Sequence, residues 1–392
     1  MLDGEGFFTS HFRDDLSSEE VARRVERQTL ETYGKEIPIY NTPVIFRNEE
    51  LDLMREVVSF WMRITKRVNS KLKENDEQLL TLFPEYKNHN DSMISPFQVP
   101  PFMRLDTLIS EEGAPQIIEC NALFPGNLGY FPYQASLFRE QLPLLDSVNV
   151  FDSLEDVRKT LNHIVTMKGQ GLTFVEEPGD SYHSETQIFG RMLDELGINV
   201  AYETSEKNLC HLRGGVVKRV IRENSSLEQL ALSGDIVLAN PLWSDFLNDK
   251  GLLALLRDSD FTRDFDDSLL RGIERYVPYT RFSHSLTDIE KKGIVSDKDN
   301  YVIKHLAEYG GKGVFIGLEE SSDVIEAVLN DSNRRSIVQE VITSSNHCGN
   351  SYDLSLVVLS GKFSHPRVRI STQDSMKTNI HAGAQNAMCY YM

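Results

Sequence analysis

A predicted β-hairpin in the first third of the chain carries side chains that could do chemistry. Its strands run from Phe102 to Ile109 and from Gln116 to Asn121, and the turn Glu111–Ala114 joins them. Period-two alternation bounded by a turn of this kind is typical of a hairpin. Since successive side chains point to opposite faces, alternate residues of the two strands are expected to share a face.

Asp106 and Glu119 lie opposite each other if the turn is even and centred on Glu112-Gly113. The same register pairs Arg104 with Asn121 and places all four side chains on one face. Two facing carboxylates repel unless a cation lies between them. Carboxylate and amide oxygens suit Mg²⁺, and Arg104 could hold a phosphate that the metal also touches. An exposed polar face of an edge hairpin explains the pattern equally well, because a one-residue change of register separates the group.

A lysine and a glycine-rich turn form a second candidate site near the C-terminus. The predicted strand Tyr301–Lys304 ends in the lysine, and Gly310-Gly311-Lys312-Gly313 leads into the strand Val314–Ile316. Glycines let backbone N–H groups approach phosphate oxygens, and lysines place charges beside them. The P-loop spacing is absent, so the remaining pattern is a glycine hairpin over phosphates. A tight turn explains the same residues.

The next predicted strand, Ser336–Ile342, has Glu340 near its end. The backbone and the carboxylate there could meet the edge of an adenine, although the strand's apolar composition is equally that of ordinary core.

Composition excludes several classes of protein. The chain has 392 residues with 41 Lys and Arg against 59 Asp and Glu, a formal charge of −18 at pH 7. This balance argues against nucleic acid or an anionic membrane as the main partner. No run of residues is apolar enough for a transmembrane helix, and no secretory signal is recognised. The four cysteines form no CxxC pair, so a reducing cytoplasm is the expected location. They are Cys120, Cys210, Cys348 and Cys389.

The histidines are scattered without metal-ligand spacing, and Cys120 falls on the face of its strand opposite Glu119 and Asn121. We therefore expect a buried thiol at Cys120, and a Cys/His hydrolase is a poor interpretation.

The elements that must position these residues follow from periodicity. Helices are predicted over Ser17–Gly34 and Asn48–Lys73, and strand/helix alternation over 170–240 predicts a three-layer α/β unit. We expect three parts: residues 1–165, a helical segment plus the hairpin; residues 166–245, the α/β unit; and residues 246–392, a helical connector followed by the lysine, glycine loop and last strands.

Together these features resemble the ATP-grasp ligases, and specifically the circularly permuted branch typified by the synthetase domain of glutathionylspermidine synthase. In ordinary members the acidic D…E.N segment follows the lysine and glycine loop, whereas here Arg104-Leu-Asp106 and Glu119-Cys-Asn121 precede them. The segment Asn240–Leu253, the hinge Val338–Val341 and the strands within Asp353–Arg369 also resemble that branch. The similarity extends roughly from residue 100 to 385.

The resemblance implies a circularly permuted ATP-grasp fold of the α/β (α+β) class, with a helical N-terminal segment and a central pre-ATP-grasp-like domain. It implies that Asp106, Glu119 and Asn121 ligate Mg²⁺ ions on the ATP phosphates. Arg104 would stabilise the transferring phosphoryl group.

Further site residues are implied in the same way. Lys250 and Lys304 would hold the α- and β-phosphates, and the loop Gly310–Gly313 would cover the triphosphate. The hinge residues Glu340 and Val341 would meet adenine, and Gln339 beside them would belong to the same ATP-binding site.

The implied reaction joins a carboxylate to an amine with ATP and Mg²⁺, through an acyl phosphate, releasing ADP and phosphate. An amino acid, a peptide or a polyamine-like molecule is the expected substrate. Two alternatives stay open. One is a carboxylate-thiol ligase that loads an amino acid onto the phosphopantetheine of a carrier protein, and the other is an inactive ATP-binding module.

Two departures from the family pattern affect the substrate site. Many relatives have Asp-x-Arg after the hinge, where this chain has Asp353-Leu-Ser355, so Arg367 or Arg369 would contact the acyl phosphate. Asp180 and Ser181 lie where relatives contact the acceptor, although Ser181 could equally cap a helix.

Overall fold

A computed structural model describes residues 16–83, 97–110, 113–142, 145, 148–168, 171–176, 183–204, 209–217, 225–306, 308, 312–342, 346–347, 350–371 and 384–392. The strands in these ranges are β1 Ile39–Phe46, β2 Phe102–Ile109, β3 Pro115–Asn121, β4 Asn149–Val150, β5 Leu172–Glu176, β6 Val200–Thr204, β7 Gly214–Val217, β8 Ile236–Leu238, β9 Thr280–Phe282, β10 Tyr301–His305, β11 Val314–Ile316, β12 Ser336–Glu340, β13 Asn346–His347, β14 Asn350–Leu359, β15 Lys362–Ile370 and β16 Gln385–Tyr391. The helices are α1 Leu16–Tyr33, α2 Asn48–Lys73, α3 Glu77–Leu80, α4 Tyr130–Gln141, α5 Ser153–Lys168, α6 His183–Asp194, α7 Ser225–Leu232, α8 Ser244–Asn248, α9 Gly251–Leu255, α10 Ser259–Thr262, α11 Asp267–Tyr276, α12 Asp288–Ser296 and α13 Ser322–Leu329.

The predicted hairpin, β2–β3, belongs to an eight-stranded sheet with the order β1-β16-β15-β14-β2-β3, in which β4 pairs with β16 and β13 with β14. Strand β2 pairs with β14, which lies far along the chain. The hairpin from the first third of the sequence and the last strands therefore form one continuous sheet.

The register of the hairpin around the candidate ligands is confirmed. Asp106 pairs with Glu119, and Arg104 with Asn121. Beyond Asp106 the ladder shifts, so that Thr107 pairs with Ile117 and Ile118 is the extra residue of a bulge. The evenly paired turn was therefore wrong by one residue, while the predicted pairing at the site was right.

Helix α2 covers the face of this sheet opposite Arg104 and Asp106. Its residues Met54, Val57 and Trp61 share a buried core with Met103 and Leu105 of β2. The broad apolar stripe of α2 explains this packing, since residues three and four apart in the sequence lie on one helix face. Both N-terminal helices that the sequence predicts, α1 and α2, are confirmed.

A second sheet is antiparallel, with the order β11-β10-β12-β9. Helices α12 and α13 pack on it through a core that includes Ile294, Ile325 and Ile303. The sheet carries Lys304 on β10 and the predicted hinge at the end of β12.

The third sheet is parallel, with the order β6-β5-β7-β8. Helices α5 and α6 share one core with it, and α7 shares another with β7 and β8. The three-layer α/β arrangement predicted from the strand/helix alternation is therefore confirmed. None of the helices in the described ranges is long and apolar enough to cross a membrane.

Candidate nucleotide and metal site

Asp106 lies at the centre of a buried ionic network on the hairpin. The Arg104 guanidinium donates to it in bidentate fashion, at 2.7 Å from Nε to Oδ1 and 2.9 Å from Nη2 to Oδ2. Ser355 donates to Oδ1 at 2.9 Å, and Arg369 Nη2 lies 3.4 Å from Oδ2. Burial alone would raise the pKa of Asp106, but the charges of Arg104 and Arg369 and the hydrogen bonds lower it. The carboxylate is thus held ionised.

Lys250 brings a cation to the second carboxylate of the hairpin. Its Nζ lies 3.3 Å from Glu119 Oε1 and donates at 2.9 Å to the carbonyl of Glu308. The side chain is buried just before helix α9, in the chain segment that resembles the family's lysine-bearing stretch. Lys250 therefore connects the hairpin to Glu308, two residues before the glycine loop begins.

Lys304 reaches the hairpin from the second sheet. Its Nζ donates to the carbonyl of Ile118, the bulge residue, at 3.2 Å and to Gln339 Oε1 at 2.7 Å. Burial lowers the pKa of Lys304 to about 8, with Glu119 opposing the shift and Lys250 adding to it. Both predicted phosphate-binding lysines thus converge on the predicted metal-binding hairpin.

The hinge residues have hydrogen-bond partners on neighbouring elements. The Gln339 amide is buried and bonded to Lys304 and, at 3.0 Å, to Thr280 Oγ1. The N–H of Val341 donates to the carbonyl of Asn300 at 2.9 Å, and Glu340 is exposed. The Gln339 side chain thus points to Lys304 across the β10–β12 ladder, and the adenine contacts of Glu340 and Val341 stay a prediction.

The two arginines of β15 differ in their partners. Arg369 forms a bidentate ion pair with Asp353, in which Nε lies 2.8 Å from Oδ1. The Nε of Arg367 donates to Asn386 Oδ1 at 3.0 Å, but its buried Nη1 and Nη2 have no hydrogen-bond partner in the described part of the chain. Burial and the neighbouring Arg369 lower the pKa of Arg367 to about 9.

One row of residues crosses four strands of the large sheet. The pairs Glu119–Asp106, Asp106–Ser355 and Ser355–Arg367 lie side by side in the ladders. Neighbouring strands are about 4.8 Å apart, which puts Arg367 roughly 10 Å from Asp106 along this row. Ser355 was not among the predicted site residues. Its place in the alternation of β14 was the signal that could have identified it.

Four predicted site residues, Gly310, Gly311, Asp180 and Ser181, lie outside the described residues. Lys312 is exposed. Gly313 has φ +66°, and a Cβ built there would lie 3.0 Å from His305 Cβ. This position therefore requires glycine, as the glycine-rich turn implies.

The carboxylates of the hairpin fit a metal ion that arrives with phosphate. Among the described residues no group of three or more His, Cys, Asp or Glu side chains could hold a metal alone. Mg²⁺ is commonly bound by one or two carboxylates together with substrate phosphates. Asp106, Glu119 and the amide of Asn121 supply such a set, with Asn121 Nδ2 3.3 Å from Asp106 Oδ2.

Cys120 lies on the opposite face of β3, in the core beneath α2. Burial raises the pKa of its thiol. The expectation of a buried thiol is confirmed.

Comparisons with known proteins agree with the predicted fold. Residues 269–390 match the family model described as "Prokaryotic glutathione synthetase, ATP-grasp domain". The apo structure of a glutathione synthetase-like effector (GSS30) from Globodera pallida is similar, with a TM-score of 0.62 and 13% identity over 95% of this chain and 96% of that chain.

A putative gamma-glutamylcysteine synthetase from Methylobacillus flagellatus KT has a TM-score of 0.45 and 12% identity over 82% of this chain and 85% of that chain. No curated protein matched the sequence. The match of residues 269–390 to the family model confirms the α/β fold with an ATP-grasp domain.

Proposed function

We propose that the protein is an ATP-dependent carboxylate-amine ligase that uses Mg²⁺. The observation that carries this proposal is the convergence of Lys250 and Lys304 on Asp106 and Glu119. Phosphoryl transfer depends on positioning and on neutralising charge rather than on a side-chain nucleophile. Two lysines, three arginines and a hard-oxygen metal set meet those needs.

In the proposed reaction a carboxylate oxygen of the substrate attacks the γ-phosphorus of ATP, and the bond to the bridging oxygen breaks to release ADP. The amine nitrogen then attacks the acyl carbon, phosphate leaves with the bonding electrons, and the nitrogen loses a proton. Lys250 and Lys304 would hold the phosphates, and Arg104 would stabilise the charge on the transferring group. Bound Mg²⁺ would neutralise the phosphate oxygens beside Asp106, Glu119 and Asn121.

Arg367 is better suited than Arg369 to contact the acyl phosphate or another anionic group of the acid. Arg369 is engaged by Asp353, whereas the terminal nitrogens of Arg367 have no acceptor among the described residues. Desolvating a guanidinium without a partner is costly, and an anion would remove that cost. Since these nitrogens are shielded from solvent, the anion would reach them only after a local movement.

We also propose that the domain is circularly permuted. The family model matches residues 269–390, while the hairpin at 102–121 lies outside the match and still joins the same sheet through β2 and β14. Such an arrangement is what a permuted ATP-grasp chain requires.

ADP release in the presence of amino acids, peptides and polyamines tests the proposal. We expect turnover that depends on Mg²⁺, on an acid and on an amine, and that Glu119→Ala abolishes without unfolding the protein. The exposed Glu326→Ala serves as the matched control. Wild-type turnover in Glu119→Ala would refute the metal assignment, and a folded protein that binds ATP without turnover on any acid would refute the ligase.

A further inference from the structure

The loop that follows the metal-binding hairpin is held by a residue from another part of the chain. Residues 122–129 connect β3 to α4. The carboxylate of Glu185, in the first turn of α6, accepts hydrogen bonds from two backbone N–H groups of this loop. Asn127 N lies 3.0 Å from Glu185 Oε2, and Gly129 N lies 2.8 Å from Oε1. Glu185 is 2% exposed, so both hydrogen bonds are shielded from water.

The backbone conformation of this loop requires such support. Phe124 and Asn127 have φ values of +52° and +68°, in the left-handed region that favours glycine. Asparagine tolerates this region, but phenylalanine is strained in it because its Cβ comes close to the backbone carbonyl oxygen. Such conformations persist only where surrounding contacts fix them. The carboxylate of Glu185 supplies charge-assisted hydrogen bonds of the strong kind.

Helix α6 also fixes the loop by packing. The Phe124 ring contacts Phe102 and Phe189 edge to face, at centroid distances of 4.7 and 5.8 Å. A Cβ on Gly129 would lie 3.0 Å from the Phe189 ring. The loop therefore packs closely against α6, and its hydrogen bonds to Glu185 fix its position on the helix.

The loop contacts the proposed active site through one carbonyl. Arg104 Nη1 donates to the carbonyl of Gly126 at 3.3 Å, while its other two nitrogens hold Asp106. Gly126 directly precedes Asn127, whose N–H is bonded to Glu185. A shift of the loop would therefore move the third contact that orients the guanidinium.

We infer that Glu185 is a positioning residue for the proposed phosphoryl transfer, acting through the 124–129 loop on Arg104. This inference rests on the proposed function for its kinetic consequence. Misplacement of a transition-state group by about 1 Å costs on the order of 100-fold in rate. We expect Glu185→Gln, which keeps the side chain's size, to lower kcat by about 10- to 100-fold while the KM for ATP stays unchanged.

A double-mutant cycle with Arg104→Lys distinguishes positioning from simple loss of stability. If Glu185 acts through Arg104, the Glu185→Gln/Arg104→Lys double variant has the kcat of Arg104→Lys alone. Asp194→Asn, an exposed carboxylate on the same helix, is the matched control and should behave as the wild type. The inference would be overturned if the losses of kcat from Glu185→Gln and Arg104→Lys add in the double variant. It would also be overturned if Glu185→Gln has the same kcat as Asp194→Asn.

A crystal structure of Glu185→Gln decides the point without any assay. We expect the Gly126 carbonyl to move out of hydrogen-bond reach of Arg104 Nη1. An unchanged loop and guanidinium would overturn the inference whether or not the wild-type protein turns over. If the wild-type protein shows no turnover with any acid, the proposed ligase is refuted. The crystal structure of Glu185→Gln still tests the inference about the loop, because it does not depend on turnover.

Discussion

The ammonium of Lys250 lies 3.3 Å from Glu119 Oε1, so a proposed phosphate ligand is paired with a proposed metal ligand. Asp106 is likewise held by Arg104. These cations neutralise the carboxylates that would otherwise repel each other across the hairpin. The phosphates of a bound nucleotide would pair with these cations and leave the carboxylates available to the metal. Binding of the nucleotide and binding of the metal should therefore be coupled.

This coupling predicts that a divalent cation binds weakly without nucleotide. Electron paramagnetic resonance with Mn²⁺ should give an affinity at least about tenfold higher, or about 1.4 kcal/mol, when a non-hydrolysable ATP analogue is present. Lys250→Met should raise the nucleotide-free affinity, because Glu119 loses its partner, and the exposed Lys292→Met should not. Equal Mn²⁺ affinities with and without the analogue would contradict the coupling.

The depressed pKa of Lys304 predicts a pH dependence of nucleotide binding. The pKa is about 8 in the free protein against an ordinary 10.5. Phosphates attract only the protonated form, so binding raises this pKa, and affinity should fall as pH rises through about 8. Calorimetric titration with the Mg²⁺ complex of the analogue between pH 7 and 9.5 measures this. In Lys304→Arg the side chain stays charged over this range, so the affinity should not change with pH. If the affinity of both proteins falls equally with pH, another group causes the pH dependence.

Gln339 should tune that pH dependence, because its amide oxygen lies 2.7 Å from Lys304 Nζ. Gln339→Glu places a carboxylate there, which favours the charged lysine and should move the midpoint of the affinity profile above pH 8. The exposed Gln229→Glu adds the same charge elsewhere. Midpoints that coincide in these two variants would show that the contact between Gln339 and Lys304 does not control the titration.

The pairing of Asp106 with Glu119 was right although the predicted turn was wrong by one residue, because the bulge at Ile118 offsets that shift. What alternation does define from the sequence is which residues of one strand share a face. The bulge at Ile118 was not predictable. Nothing in the local pattern requires an extra residue there, and its carbonyl finds its partner, Lys304, in a distant part of the chain. The direction of the Gln339 side chain likewise depends on partners from β9 and β10 that only the folded sheet brings together.

Among the elements, α2 was predicted to its ends because a long amphipathic stripe leaves little ambiguity. Strand β7 was missed, because Gly214-Gly215 has the composition of a turn. The close approach of Gly215 to Leu172 explains the glycine, since a Cβ there would lie 2.8 Å from the leucine side chain. Contacts between strands, rather than local propensity, thus decide such positions.

Arg367 and Arg369 lie two residues apart on β15, yet their replacement by methionine should have opposite effects on stability. Arg367 is buried without an ionic partner among the described residues, so Arg367→Met removes a poorly compensated charge and should leave the unfolding temperature unchanged or higher. Arg369→Met removes the bidentate ion pair of the buried Asp353 and should cost about 3–5 kcal/mol.

The same Arg367→Met variant should raise the KM for the acid by about tenfold or more and leave the KM for ATP unchanged, because a charged hydrogen bond to an anion contributes about 1.5–3 kcal/mol. The exposed Arg263→Met is the control for both measurements. Thermal unfolding of the free proteins and initial rates of ADP release at varied acid together separate the two roles. If Arg367→Met is destabilised as strongly as Arg369→Met, Arg367 has an internal partner and is not reserved for the substrate.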